Sequence, residues 1–387
     1  MKTTRCFTLF ELGFRPFFLL ATGFAAGAII LWMIIWPGFW VPEGPFTSVD
    51  WHAHEMLFAY SSAVIAGFLL TAIPNWTGRA PIKGWPLALL AVLWAVGRLA
   101  VFGVTGLPDG WVMAIDGSFL AVLCVVAAYQ LIVSRNLRNL IVVALVALLL
   151  AANTVFHLEA TMLGAADVGR RAGLAVLTLL LMLIGGRIIP SFTRNWLAKQ
   201  KVETLPSPFG RFDAASLGIA AIALNFWVFK GPLGLTAAAL GVASAMHLVR
   251  ALRWQGLRAR HSAILLMLHA SYLCLPVGLA LLAFSLVWRA VDPAVGLHVL
   301  GMGAVGCMTT AVMLRASMGH TGRPLAAGPI LSLAFGLILM ATVFRALLPE
   351  IWLMGVSGIQ ISALCWVGGF GLICARIWPW LLRPRVD

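Results

Sequence analysis

Runs of about 20 apolar residues recur along the whole chain, and this feature constrains the fold most. A helix of that length crosses the hydrocarbon core of a bilayer, and a backbone in lipid must satisfy its own hydrogen bonds. The composition agrees, because 61% hydrophobic and only 10% charged residues cannot make a soluble surface. The sequence therefore predicts an all-α, polytopic membrane protein in which residues 1–387 form a single transmembrane domain.

Hydropathy windows and their polar punctuation predict about twelve transmembrane helices, joined by short loops. The predicted spans are 15–36, 52–73, 86–104, 111–133, 139–160, 171–189, 213–229, 233–252, 262–287, 294–314, 325–348 and 350–376. An even number of spans places both termini on the same side of the membrane.

The chain has a net charge of +14, and its basic residues cluster in alternate loops. With the N-terminus taken as cytoplasmic, all but six of the 27 Lys and Arg residues fall on the inner side, as the positive-inside rule expects. The six exceptions are Arg170, Arg171, Lys230, Arg289 and Arg345 on the outer side and Arg98 within span three. Membrane orientation accounts for the charge, so we predict cytoplasmic termini, the lipid bilayer as a partner and no nucleic acid.

Short echoes follow spans two, six and ten. Ile73-Pro74-Asn75-Trp76-Thr77 is matched by Ile189-Pro190-Ser191-Phe192-Thr193, and Thr77-Gly78-Arg79 by Thr321-Gly322-Arg323. A spacing of four spans is what three four-helix units would give, with chance similarity of short motifs as the alternative.

Histidines at the outer ends of spans are the main candidate ligands, because polar groups at these positions usually have a function. His52 and His54 open span two, His157 lies in span five and His298 in span ten. Two residues apart on a helix, His52 and His54 point about 160° away from each other, so they do not easily share one site. A metal or a haem is the candidate ligand of this outer group, and His54 is the preferred ligand.

The surroundings of His298 and His157 offer further donors. Met302 follows His298 by four residues, and glycines at 301, 303 and 306 either let a porphyrin approach or serve tight helix packing. His157 lies beside Asn153 and Glu159, which predicts a copper site or a proton path. Cys307 and Met308 offer soft donors to Cu(I), although packing is the simpler interpretation.

Three arginines are predicted at the depth of the outer histidines. Arg98, Arg289 and Arg345 suit haem propionates, since guanidinium forms paired bonds with carboxylates. Arginines at helix ends also extend toward the membrane interface without binding any ligand, which is the alternative for Arg289 and Arg345.

Two other functions fit the same sequence. A secondary transporter would use Arg98, Glu159, His157 and Asp116 as an intramembrane polar pathway. An assembly partner of respiratory enzymes would bind no cofactor of its own. The Arg315 to Arg323 loop, with Arg187 and Arg194, fits either an anion site or a topology-setting basic loop.

Five motifs carry a resemblance to a known family. They are Leu12-Gly13-Phe14-Arg15-Pro16-Phe17-Phe18-Leu19-Leu20, Trp51-His52-Ala53-His54-Glu55-Met56-Leu57-Phe58, Ile65-Ala66-Gly67-Phe68-Leu69-Leu70-Thr71-Ala72 with Pro74-Asn75-Trp76-Thr77-Gly78, Gly185-Gly186-Arg187-Ile188-Ile189-Pro190, and Arg315-Ala316-Ser317-Met318-Gly319-His320-Thr321-Gly322-Arg323. The chain resembles the NnrS family from its N-terminus to its last spans. The resemblance implies a multi-pass protein of the bacterial inner membrane with haem b and copper, linked to nitric oxide, nitrosative stress and denitrification. It also implies nitric oxide or a related small molecule and a respiratory electron donor as partners, and it leaves open whether the protein is an enzyme.

The chain is also similar, more distantly, to the large subunit of haem-copper oxidases, where a haem hangs between spans two and ten. That likeness implies His54 and His298 as an axial pair. Spans six and seven contain no histidine, unlike that superfamily, so copper would use other groups such as His52, His157 or Met302.

Overall fold

The computed structural model describes residues 8–386, and within them twelve helices are long and apolar enough to cross a membrane. They are α1 (Phe14–Ile35), α2 (Ser48–Thr77), α3 (Trp85–Phe102), α4 (Asp109–Val133), α5 (Leu137–Leu163), α6 (Val168–Lys199), α7 (Arg211–Val228), α8 (Leu233–Leu252), α9 (Ala263–Val287), α10 (Pro293–His320), α11 (Gly328–Leu347) and α12 (Gly358–Leu381). The predicted all-α polytopic fold is confirmed.

Several helix boundaries differ from the predicted ones. Helix α6 continues through Pro190 to Lys199, because membrane helices tolerate proline where other groups satisfy the freed backbone. Helix α12 begins at Gly358, since residues 350–357 contain a small hairpin of β1 (Trp352–Leu353) and β2 (Val356–Ser357). Its two turn residues have φ of 50° and 80°, the positive values that a type I′ turn requires.

Helices α2 and α10 each contain a π-helical segment that directly follows a histidine. In α2 the segment is Glu55–Tyr60, after His54, and in α10 it is Val299–Gly306, after His298. The two histidines are separated by the same number of residues as the two Thr-Gly-Arg motifs. Segments of π-helix are rare and often occur at functional sites, so this repeated feature singles out both histidines.

The chain divides into two compact units. Unit 1 contains the described residues 8–176, 316–324 and 370–386, and unit 2 contains residues 177–315 and 325–369. In unit 1, α1 packs against α2, α3 against α4, and α4 against α2 and α5. Close approach of α1 and α2 depends on Gly67, because a Cβ there would lie 2.6 Å from the ring of Phe18.

Unit 2 contains a buried polar cluster around Arg250 of α8. Its Nε donates to Asp213 Oδ1 (2.8 Å), and its Nη1 donates to the carbonyl of Met182 (2.9 Å) and the hydroxyl of Tyr272 (3.0 Å). That hydroxyl is also 2.8 Å from Nδ1 of His247. The cluster therefore links α6, α7, α8 and α9 through buried hydrogen bonds.

Candidate metal centre

The second turn of α2 places His54 in the interior of unit 1. Thr47 is the N-cap of α2, and its hydroxyl accepts a hydrogen bond from the backbone N–H of Asp50 (3.3 Å). His54 is the last α-helical residue before the π-helical segment and is 0% exposed. An imidazole this deeply buried needs partners for both ring nitrogens.

Three side chains from three helices converge here. Oδ2 of Asp116 on α4 lies 3.2 Å from Nε2 of His54 and 3.1 Å from Nε2 of His157 on α5. One ligand atom from each residue lies within 4.8 Å of the others, and all three residues are buried. Within residues 8–386, this is the one group of three or more His, Cys, Asp or Glu residues that could hold a metal ion.

Asn153 completes the inner layer of the cluster. It lies on α5 one turn before His157, which places both side chains on the same helix face. Its Oδ1 is 2.9 Å from Nε2 of His54, and its Nδ2 donates to Oδ2 of Asp116 (2.6 Å). Asn153 therefore holds the aspartate in place.

Glu55 and Arg98 form an outer layer. Oε1 of Glu55 accepts from Nη1 of Arg98 (2.5 Å) and lies 2.9 Å from Nδ1 of His54. The other terminal nitrogen of Arg98 pairs with Oδ1 of Asp116, which leaves Oδ2 facing the histidines. Helix α3 approaches α4 closely because Gly97 has no side chain, since a Cβ there would lie 3.3 Å from Cα of Asp116.

Counting charges shows that the cluster lacks one positive charge. With both carboxyl groups ionised and both imidazoles neutral, Glu55 and Asp116 contribute two negative charges and Arg98 one positive charge, which leaves one negative charge uncompensated. Isolated buried charges are costly. A cation between the three candidate ligands would balance the cluster.

The hydrogen bonds of His54 also indicate a missing positive charge at its ring. Oxygen atoms face both of its ring nitrogens, Glu55 at Nδ1 and Asp116 with Asn153 at Nε2. A neutral imidazole donates from only one nitrogen. A metal ion bound at Nε2, or a second proton on the ring, removes the conflict.

Aromatic rings enclose the cluster. The ring of Phe46 lies 4.7 Å from that of His54 and 4.8 Å from that of His157, and Phe58 and Phe156 each lie 5.3 Å from His54. These apolar walls lower the local dielectric and strengthen every charge interaction inside. They also fix the imidazoles by packing.

The donor set indicates which ions suit the centre. Two imidazole nitrogens and one carboxylate oxygen are ligands for copper, zinc or iron, and among divalent ions copper generally binds such sites most tightly. A ligating histidine usually donates its other ring N–H to a carboxylate, which is the relation between His54 and Glu55. The residues present therefore fit a resident metal ion.

The other predicted ligands are not members of this group of three. His52 stacks on Trp32, with ring centroids 4.4 Å apart, rather than joining the cluster. His298 and Met302 belong to unit 2, so a haem held between His54 and His298 stays a prediction. The guanidinium of Arg98, predicted to bind a haem propionate, is bonded to Glu55 and Asp116 instead.

His298 has one ring nitrogen available. Its Nδ1 donates to the carbonyl of Ala294 (2.7 Å), and within residues 8–386 its Nε2 has no hydrogen-bond partner. A Cβ on Gly301 would meet nothing within 4 Å, whereas Gly303 and Gly306 are covered by Cys274 and Trp366. Helix packing thus explains two of the three glycines in this segment. Of the predicted arginines, Arg345 interacts electrostatically with His298, and Arg289 is exposed.

Asp116 was predicted only as part of a transporter's polar pathway and not as a metal ligand. A lone carboxylate inside an apolar span was the available signal. The fourth residue of that pathway, Glu159, accepts hydrogen bonds from the backbone N–H groups of Val168 (3.1 Å) and Gly169 (2.7 Å). It therefore caps the start of α6.

A family model described as NnrS protein matches residues 8–385, nearly the whole chain. None of the curated proteins matches the chain.

Proposed function

Because the chain belongs to the NnrS family, we propose that it is a copper- and haem-containing protein of the bacterial inner membrane that binds, turns over or protects against nitric oxide. The observation that carries the proposal is the buried group of His54, Asp116 and His157. The link to nitric oxide and denitrification rests on the family resemblance. The metal chemistry rests on the geometry.

Copper is the proposed occupant of this centre. Nε2 of His54, Nε2 of His157 and Oδ2 of Asp116 would bind it, and Glu55 would hold His54 in the tautomer that presents Nε2. Arg98 would keep Oδ1 of Asp116 occupied, so that only Oδ2 is available to the ion. Three protein ligands leave a coordination position for a small molecule, as catalytic metal sites do.

Haem is assigned to His298, and a haem held between His54 and His298 is the alternative. The hydrogen bond from Nδ1 of His298 to Ala294 leaves Nε2 to ligate iron, in the manner common for metal-bound histidine. Arg345, which interacts electrostatically with His298, suits a propionate. When bound, haem would supply an iron atom able to bind nitric oxide or pass electrons.

Metal analysis and pyridine haemochrome spectra of three purified variants test these assignments. We expect His157→Ala to lose copper and keep haem, and His298→Ala to keep copper and lose or shift its Soret band. His261→Ala, which changes an exposed histidine in a loop, is the matched control and should retain both. Copper-free wild-type protein, or full copper content in His157→Ala, would overturn the copper assignment.

One observation favours a secondary transporter as the second candidate. Arg98, Asp116 and His157, three of the four residues predicted for a polar pathway, meet in unit 1. Buried ionisable groups of this kind also occur in proton and substrate paths. Colourless, metal-free protein that catalyses substrate-dependent uptake in vesicles would support this function and rule out the leading proposal.

A further inference from the structure

The C-terminal tail of unit 1 lies against the turn that follows α10. The N–H of Val386 donates to the carbonyl of Thr321 (3.0 Å), and a Cβ on Gly322 would collide with the carbonyl oxygen of Val386. Buried Arg15 holds the other end of the tail, since its Nη1 donates to the carbonyls of Leu381 (2.8 Å) and Arg383 (2.7 Å). These contacts fix the tail beside Arg323.

The fixed tail brings arginines together. The guanidinium groups of Arg323 and Arg376 lie 5.0 Å and 5.4 Å from the ring centre of Trp380. Arg383 and Arg385 follow on the tail, and both are exposed. Burial lowers the pKa of Arg323, and the positive charges of Arg383 and Arg376 lower it further. Like charges therefore converge on one spot.

Protein carboxylates do not compensate this group. Across residues 8–386, none of Arg323, Arg376, Arg383 and Arg385 forms an ion pair, and Glu11, the nearby acidic group, lies 3.9 Å from Arg15. Asp387 lies outside the described residues. Arg98 and Arg250, by contrast, are both paired with carboxylates.

We infer that Arg323, Arg376, Arg383 and Arg385 form a binding site for the phosphate headgroup of an anionic phospholipid. Guanidinium forks bind phosphate oxygens in pairs, and basic pockets at the ends of membrane helices bind such headgroups. Trp380 is the kind of residue that lies at headgroup level. The positive-inside rule explains why arginines lie on this side, but not why four of them gather without a counter-ion.

The arginine site is a membrane-surface site and not a part of the metal centre. It lies where α10 and α12 end, on the predicted cytoplasmic side, and an acyl chain can lie along the apolar helices while the headgroup meets the arginines. The inference is independent of the proposed copper and haem, because none of these arginines is a proposed ligand of either group.

Titration of the purified full chain with short-chain phosphatidylglycerol in neutral detergent tests the inference. Binding is followed by the thermal midpoint and by tryptophan fluorescence, with phosphatidylcholine and inorganic phosphate as separate arms. Each arginine is worth about a fivefold change in affinity, so Arg323→Gln with Arg383→Gln should weaken phosphatidylglycerol binding roughly 25-fold. Arg260→Gln, an exposed arginine of unit 2, should leave binding unchanged.

Arg383→Gln alone is a variant that should fold normally, because the side chain of Arg383 is exposed. It should weaken phosphatidylglycerol binding about fivefold. Equal affinities of wild type, the double variant and Arg260→Gln would overturn the site. Phosphatidylcholine binding as tightly as phosphatidylglycerol would also overturn it. Saturable binding of inorganic phosphate with the same variant dependence would replace the lipid with a soluble anion.

Discussion

Glu55→Gln is the substitution that best tests how the metal centre works, because Glu55 is not itself a proposed ligand. Its Oε1 contacts Nδ1 of His54 (2.9 Å) and Nη1 of Arg98 (2.5 Å). Glutamine keeps the size and one acceptor oxygen but removes the charge. The substitution therefore changes the net charge of the cluster from negative to neutral and leaves the three ligands in place.

The expected magnitude follows from two estimates. Residues that support metal ligands typically change affinity 10- to 100-fold when mutated, or about 1.4–2.8 kcal/mol. A metal ion on the far side of the His54 ring would lie roughly 6 Å from the Glu55 oxygen, where a unit charge contributes about 2.8 kcal/mol at an effective dielectric constant of 20. We therefore expect Glu55→Gln to weaken copper binding by one to two orders of magnitude.

The assay is a competition titration of purified protein against a copper chelator of known affinity. Glu159→Gln is the matched control, since it makes the same chemical change in a carboxylate that caps α6 outside the cluster. Its copper affinity should equal that of wild type. A Glu55→Gln affinity within twofold of wild type, or an equal loss in Glu159→Gln, would refute the role assigned to Glu55.

Three further predictions concern the fold. Asp213→Asn should lower the free energy of unfolding by about 3–5 kcal/mol, measured by chemical denaturation, because it leaves the buried charge of Arg250 unpaired. Arg253→Gln, at the exposed edge of the cluster, should lower it by at most about 1 kcal/mol, and equal effects of the two substitutions would contradict this. Gly67→Ala should lower the free energy of unfolding by about 1–3 kcal/mol, because the added methyl group overpacks against Phe18. Gly27→Ala, where a Cβ meets open space, should leave the thermal midpoint unchanged. Fusion of green fluorescent protein to the C-terminus should give fluorescent cells, and a C-terminal alkaline phosphatase fusion should be inactive, since both termini are predicted to be cytoplasmic; active phosphatase would reverse the orientation.

The polar layers of unit 1 show how a membrane protein holds ionisable groups at depth. Both oxygens of Asp116 have polar partners: Arg98 pairs with Oδ1, Asn153 donates to Oδ2, and Nε2 of each histidine lies within 3.2 Å of Oδ2. Such saturation is what makes buried charge tolerable. It also means that Asp116 is oriented before any ion arrives.

The sequence alone determined the class of fold and the family. Twelve helices could be predicted because the free energy of inserting a segment into a bilayer depends mainly on its own composition. The motifs from Leu12 to Arg323 indicated NnrS, and the family match over residues 8–385 confirmed it. His54 and His157 were also singled out, since imidazoles in apolar spans stand out locally.

Only the tertiary structure decided which polar groups meet. Arg98 and Asp116 lie on α3 and α4, and nothing in either span shows that both face His54. The facing of helices depends on packing between side chains distant in sequence, such as the approach of Gly97 to Asp116. The π-helical segments and the hairpin before α12 were equally out of reach, because they depend on hydrogen bonding rather than hydropathy. A composition fixes which segments enter the membrane, whereas their rotation, and hence the metal centre, depends on contacts between helices.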